Sequence, residues 1–136
     1  MAVLGPLRAG QALELGQRQC TLGQFRLYVR NEGPNHHTDS GEAARAGLRR
    51  PLAPGPMLMA FLYDALTSVY GTGWFSTGRL HVAFLKPVYA GDVCALRATV
   101  ESVVDGELHL KVRIDTEDGT TVVGGTARGA YQVESH

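Results

Sequence analysis

RRPLAPGPMLMAFLYDALTSVYGTG, residues 49–73, is the stretch on which the fold of this chain turns. Met57, Leu58, Phe61, Leu62, Ala65, Leu66 and Val69 recur within it at helical spacing, which lays a broad apolar stripe along one side of a helix. Pro56 suits a first helical turn, where a missing N–H costs nothing and the ring presets φ. The spacing therefore predicts the longest and most buried helix of the chain. The glycine-rich GTGWFSTG that follows, with Gly71, Gly73 and Gly78, comes after a helix and before a strand. That is the reverse of a phosphate-binding context, and it reads as a loop.

Downstream of this helix the period changes from 3.6 to two. RLHVAFLKP (79–87), VCALRATVESV (93–103), ELHLKVRID (107–115) and TVVGGTARGAYQV (121–133) read as four strands. In the third, Leu108, Leu110, Val112 and Ile114 point one way and His109, Lys111 and Arg113 the other. Asp105-Gly106 and Asp118-Gly119 are hairpin signals, so the later strands are expected to pair antiparallel. Gly124-Gly125 inside the last strand marks a bulge or a close backbone approach. One long apolar helix followed by an antiparallel sheet gives an α+β class, with the sheet wrapped around the helix.

Upstream, residues 1–20 carry Gly5, Pro6, Gly10 and Gly16 and read as an extended lead-in. Thr21 with Gln24 forms a capping pair, and Leu22, Phe25 and Val29 share a face, so a short helix is expected there. The chemistry of the chain then concentrates in NEGPNHHTDSGEAARAG, residues 31–47. Gly33-Pro34-Asn35 is a turn signal. Asp39 with Glu42 opens a second short helix through Ala43, Ala44 and Ala46, closed by Gly47. His36 and His37 thus sit on a loop between helices, flanked by the carboxylates Glu32 and Asp39.

Composition narrows the function classes. A chain of 136 residues fits one domain, taken as residues 1–136. Thirteen basic residues balance thirteen acidic ones without clustering, which argues against a nucleic-acid or anionic-membrane partner. Cys20 and Cys94 have no paired metal-ligand spacing, so neither a metal nor a disulfide framework is expected, and no cofactor is implied. No apolar run reaches membrane-spanning length, and MAVLGPLRAG lacks the longer apolar core of a secretory signal. A cytoplasmic protein is expected.

This order of elements resembles the hotdog fold of the MaoC-like dehydratases and R-specific enoyl-CoA hydratases. The motif of that family reads approximately Asp-x-Asn-Pro-x-His-x-Asp, with an Ala four residues after the last Asp and a Gly four later. His37-Thr38-Asp39, Ala43 and Gly47 match it without a gap. Leu52-Ala53-Pro54-Gly55 looks like the Ile-Ala-His-Gly at the start of the family's central helix, and Phe84 to Asp92 is similar to its Phe-Leu-x-Pro-Val-x-x-Gly-Asp. The resemblance spans roughly residues 10 to 133. Departures accompany it: the family's Asp, Asn and Pro positions hold Glu32, Pro34 and Asn35, and its helix-start His is Pro54. A second register takes His36 as the family histidine and places Asn31 at the Asp position, but it breaks the spacing to Asp39.

The resemblance implies a lyase that hydrates an enoyl thioester, or dehydrates a 3-hydroxyacyl one, carried on coenzyme A or an acyl carrier protein. Such a reaction needs a base for water and stabilisation of charge on the thioester oxygen. An imidazole titrates near neutral pH, so His37 is the candidate base, with Glu32 holding the same water. His36, Asn31 and Asn35 are further candidates at the site. The start of the long helix offers unpaired N–H groups and the positive end of its dipole. Because Pro56 has no N–H, Gly55 and Met57 are the candidate donors, Gly55 by resemblance. Tyr63 and Trp74 are candidates for an acyl tunnel, whereas His81 and His109 read as structural or solvated. The resemblance further implies a homodimer. Two other readings stand beside it: a catalytically weak subunit that binds acyl chains or supports a partner chain, and a thioesterase or specialised elimination or cyclisation on the same fold.

Overall fold

The computed structural model describes residues 6–29 and 33–131. A first strand, β1 (Ala12–Gln19), leads into two short helices, α1 (Leu22–Tyr28) and α2 (Ser40–Arg45). The long helix α3 (Gly55–Tyr70) and a single turn α4 (Gly73–Thr77) follow, and then the strands β2 (Arg79–Phe84), β3 (Val93–Val104), β4 (Glu107–Thr116) and β5 (Thr121–Ala130). The strands make one antiparallel sheet in the order β1-β3-β4-β5-β2. As the α+β reading expects, the sheet folds over one side of α3.

The apolar stripe explains why. Met57, Leu58, Leu62, Ala65, Leu66 and Val69 are buried on α3. They face the inward side chains of the sheet, including Leu96 and Val100 on β3, Leu108, Leu110 and Ile114 on β4, and Val122 and Val123 on β5. Each fully buried leucine contributes about 2 kcal/mol by removal from water, so this contact dominates the packing. The β4 alternation holds: Leu108, Leu110, Val112 and Ile114 are all buried. Asp105 and Gly106 take φ of 53° and 75°, the positive pair that a tight hairpin between β3 and β4 requires.

Two expectations are corrected. Residues 12–19 form a strand that pairs with β3 rather than a simple lead-in. Its alternation is hidden because only Leu13 and Leu15 turn inward and the register slips between Glu14 and Gln17, around Gly16 at φ 107°. Such a bulged, polar strand is suited to a sheet edge. The glycine-rich segment after α3 contains α4, not loop alone, since Trp74 buries its ring 5.1 Å from that of Tyr70 and holds the turn in place. The expected capping devices are present. Thr21 and Gln24 cap α1 reciprocally, and Asp39 Oδ1 accepts from the Glu42 N–H at 2.9 Å. Gly47, at φ 80°, ends α2 with its N–H on Ala44 and that of Leu48 on Ala43.

Between Cys20 and Cys94, both fully buried, the Sγ atoms are 3.6 Å apart in a thiol contact without a covalent bond. The contact with Cys94 and burial hold the Cys20 thiol well above its ordinary range. On the outer face of the sheet, Arg97 stands directly opposite Arg113. Asp115 resolves that like-charge pair, accepting from Arg97 Nη1 and Arg113 Nε at 2.9 Å each, while Glu14 accepts from Arg97 Nε at 3.1 Å. Burial pushes the Asp115 carboxyl upward, but hydrogen bonds from Arg113, Thr121 and Arg97 outweigh it and leave the group below the usual carboxylate range.

Candidate active site

The loop after α1 is built by its own polar groups. Asn35 Nδ2 donates to the Gly33 carbonyl at 2.9 Å and Asn35 Oδ1 accepts from the His37 N–H at 2.8 Å. Its carbonyl receives the N–H groups of Thr38 and Asp39. Asn35 is therefore occupied in shaping the turn, which presents His36 and His37 before Asp39 starts α2. The His36 side chain is exposed and that of His37 half-buried, with ring centroids 4.1 Å apart.

One residue outside the loop fixes both. Leu52 donates its N–H to the His36 carbonyl at 2.9 Å, and its own carbonyl lies 2.8 Å from His37 Nδ1. A carbonyl oxygen only accepts, so this contact requires the proton on Nδ1. In the neutral ring the lone pair is then on Nε2, the arrangement of a histidine prepared to take a proton. The spacing of the histidines could not have disclosed this, because the partner is a main-chain atom.

Leu52 leads directly into α3. Ala53 donates to Val88 at 2.7 Å and Ala90 to Pro51 at 2.9 Å, and a bridge pairs Leu52 with Tyr89; these bonds hold the approach to the helix. Of the two expected donors at the helix start, Met57 directs its N–H to the Pro54 carbonyl at 3.1 Å and its side chain into the core. Gly55, by contrast, is half-buried and its N–H has no acceptor among the described residues. A Cβ added to Gly55 would lie 3.4 Å from Cζ of Phe84. Phe84 is a member of the site that helical and strand spacing did not single out. With Pro56, Met59, Ala60 and Tyr63 it lines an apolar groove of ≈ 430 Å³ against Gly55. Trp74 is mainly a packing residue, its ring 6.4 Å from Tyr63. Asn31 and Glu32 lie outside the described residues. Among the described residues no three metal-binding side chains converge.

No family model matches the sequence, and no curated protein matches it. The architecture is nevertheless shared with many solved structures. R-hydratase PhaJ1 from Pseudomonas aeruginosa superposes with a TM-score of 0.79 at 22% identity, over 94% of this chain and 84% of that one. The (R)-hydratase from A. caviae involved in PHA biosynthesis gives 0.75 at 21%, over 93% and 98%. The chain has the hotdog fold. A chain of the ChsH1–ChsH2 complex from Mycobacterium tuberculosis matches this hotdog domain with a TM-score of 0.77 at 17% identity, over 93% of this chain and all of that one. Identities this low carry the hotdog architecture and not the chemistry, which has to be argued from His37, Leu52 and Gly55 themselves.

Proposed function

We propose that this hotdog domain is a hydratase or dehydratase of the MaoC-like type, a carbon–oxygen lyase acting on enoyl or 3-hydroxyacyl thioesters of coenzyme A or an acyl carrier protein. The observation that carries the reading is the bond from His37 Nδ1 to the Leu52 carbonyl, which leaves the lone pair on Nε2; Leu52 itself stands three residues before Gly55, whose N–H has no acceptor among the described residues. In the hydration direction, Nε2 takes a proton from water while the oxygen adds at C3 of the enoyl group. Charge moves to the thioester oxygen, where the Gly55 N–H and the positive end of α3 stabilise it. A proton returned to C2 completes the addition, and the reverse order eliminates water. Glu32 is assigned the carboxylate that holds the water beside His37, and the apolar groove between Met59, Tyr63 and Phe84 the near end of the acyl chain. That two of the structures sharing this fold are R-hydratases supports the same reaction class.

Loss of the conjugated-enoyl absorbance on mixing with short enoyl-CoA thioesters tests this reading. Wild type should turn over, and Glu32→Gln should lower kcat about 10²-fold, the size of a positioned acid–base group. A wild-type protein inert towards every chain length would overturn the assignment.

The same reading includes a homodimer and a reducing compartment such as the cytoplasm, which suits the free thiols of Cys20 and Cys94. β2 supports the dimer: it ends the sheet with an unpaired edge and is flanked by the exposed rings of Phe75 and Phe84. Light scattering on the purified chain should give twice its 14.6 kDa mass. A monomer that captures a different hotdog chain would favour the partner-subunit reading instead, for which the two-component name of the ChsH1–ChsH2 structure is the support.

A further inference from the structure

The outer face of the sheet carries two arginine pairs that stand directly across neighbouring strands, Arg97 opposite Arg113 and Arg79 opposite Arg128. Like charges in that position are destabilising. The first pair is neutralised by Asp115 and Glu14, as described above. The second is not: among the described residues, Arg128 has no ion-pair or hydrogen-bond partner, and Arg79 makes only a 2.9 Å bond from Nη1 to its neighbour's carbonyl, Gly78. The register adds His109 beside Arg128 on β4, and His81 opposite Thr126 one row along. These side chains surround a depression of ≈ 500 Å³, with Glu101 at its rim. Glu101 pairs with neither arginine, and the other nearby acid, Glu107, is taken by His109 Nε2 at 2.6 Å. β2 reads RLHVAF and holds no acid, so a second copy joined along that edge would add cations rather than cancel them.

We propose that this depression binds a phosphate-type dianion, either free phosphate or a phosphomonoester on a nucleotide. Two guanidinium groups on paired strands offer forked donors to a tetrahedral oxyanion. His81 and the Thr126 hydroxyl lie within the same lining, and the occupant supplies the countercharge that Asp115 supplies to the other pair. The site lies on the sheet face away from α3, and the acyl-thioester reading does not depend on it.

Backbone amide shifts of the intact protein are followed while inorganic phosphate, or adenosine 3′,5′-bisphosphate, is titrated at constant ionic strength. Saturable shifts at His81, Thr126 and Arg128 are expected, with affinity about tenfold weaker in Arg79→Gln and in Arg128→Gln, since each removes a charged donor. Arg113→Gln, which deletes a cation of the neutralised pair, should bind as wild type does. Tighter binding of the bisphosphate would identify a nucleotide-borne phosphate as the source, and equal binding a free one. Shifts that fail to saturate, or that persist unchanged in either variant of the open pair, overturn the proposal. Because the readout is binding, it can fail while enoyl turnover is intact, and the reverse.

Discussion

Replacing His37 by alanine is expected to lower kcat/KM for a short enoyl thioester about 10³-fold, while leaving the fold nearly as stable as wild type. The two halves of that expectation have separate physical causes. His37 is half-buried and, among the described residues, its one side-chain bond is to the Leu52 carbonyl. Losing it costs about 1 kcal/mol, the net worth of an ordinary hydrogen bond. In the proposed mechanism catalysis loses what the Nδ1 contact prepares, an Nε2 that carries the lone pair. His37→Gln sharpens the test. Its amide can still donate to Leu52 but cannot accept and return a proton, so stability should recover and turnover should not. If His37→Ala kept wild-type turnover, the base would have to be sought elsewhere, first at His36, whose ring is 4.1 Å away.

Gly125→Val is expected to destabilise the protein by about 3 kcal/mol or more, against the preference of strands for β-branched residues. A Cβ built at Gly125 would lie 2.0 Å from the His81 carbonyl oxygen and 2.7 Å from Cα of Val82. Both are main-chain atoms of the paired strand, so no rotamer change relieves the clash, and β2 must part from β5. Phe84 would move with β2, taking one wall of the groove from Gly55. The adjacent position supplies a control. At Gly124 a Cβ would meet only Leu85 Cδ1 at 3.6 Å, an ordinary contact, so Gly124→Ala should unfold near the wild-type denaturant midpoint. Equal midpoints for Gly125→Val and wild type would show that the strands do not approach in this way.

Much of this architecture is legible in the chain because burial and backbone period coincide. The stripe from Met57 to Val69 permits only a helix with one buried side, and the strict alternation of β4 only a strand with one buried face. Legibility fails where that coincidence fails. β1 has two inward leucines and a bulge at Gly16, so its period is interrupted before it can be read. α4 owes its turn to burial of the Trp74 ring, a tertiary contact that overrides the three glycines of the segment. At the candidate site, side chains were easier to foresee than main-chain atoms. The loop histidines and the helix-start glycine stand out as residue types, but Met57's commitment to Pro54 and Leu52's two hydrogen bonds to the loop are properties of backbone geometry. Phe84 escaped for a related reason: its ring reaches Gly55 across the sequence, where no periodicity points.

Leu52 has a consequence for how this protein would tolerate change. Its hold on the two histidines is exercised through its own amide and carbonyl, so the identity of its side chain is nearly irrelevant to the tautomer of His37. A position of this kind is silent when side chains are exchanged one by one, yet the proposed base and the proposed oxyanion donor hang from the same short span of main chain. Proline alone among the standard residues would be felt directly, by deleting the donor to His36. Part of what would set the proposed chemistry thus rests on main-chain contacts that the type of side chain at position 52 does not reveal.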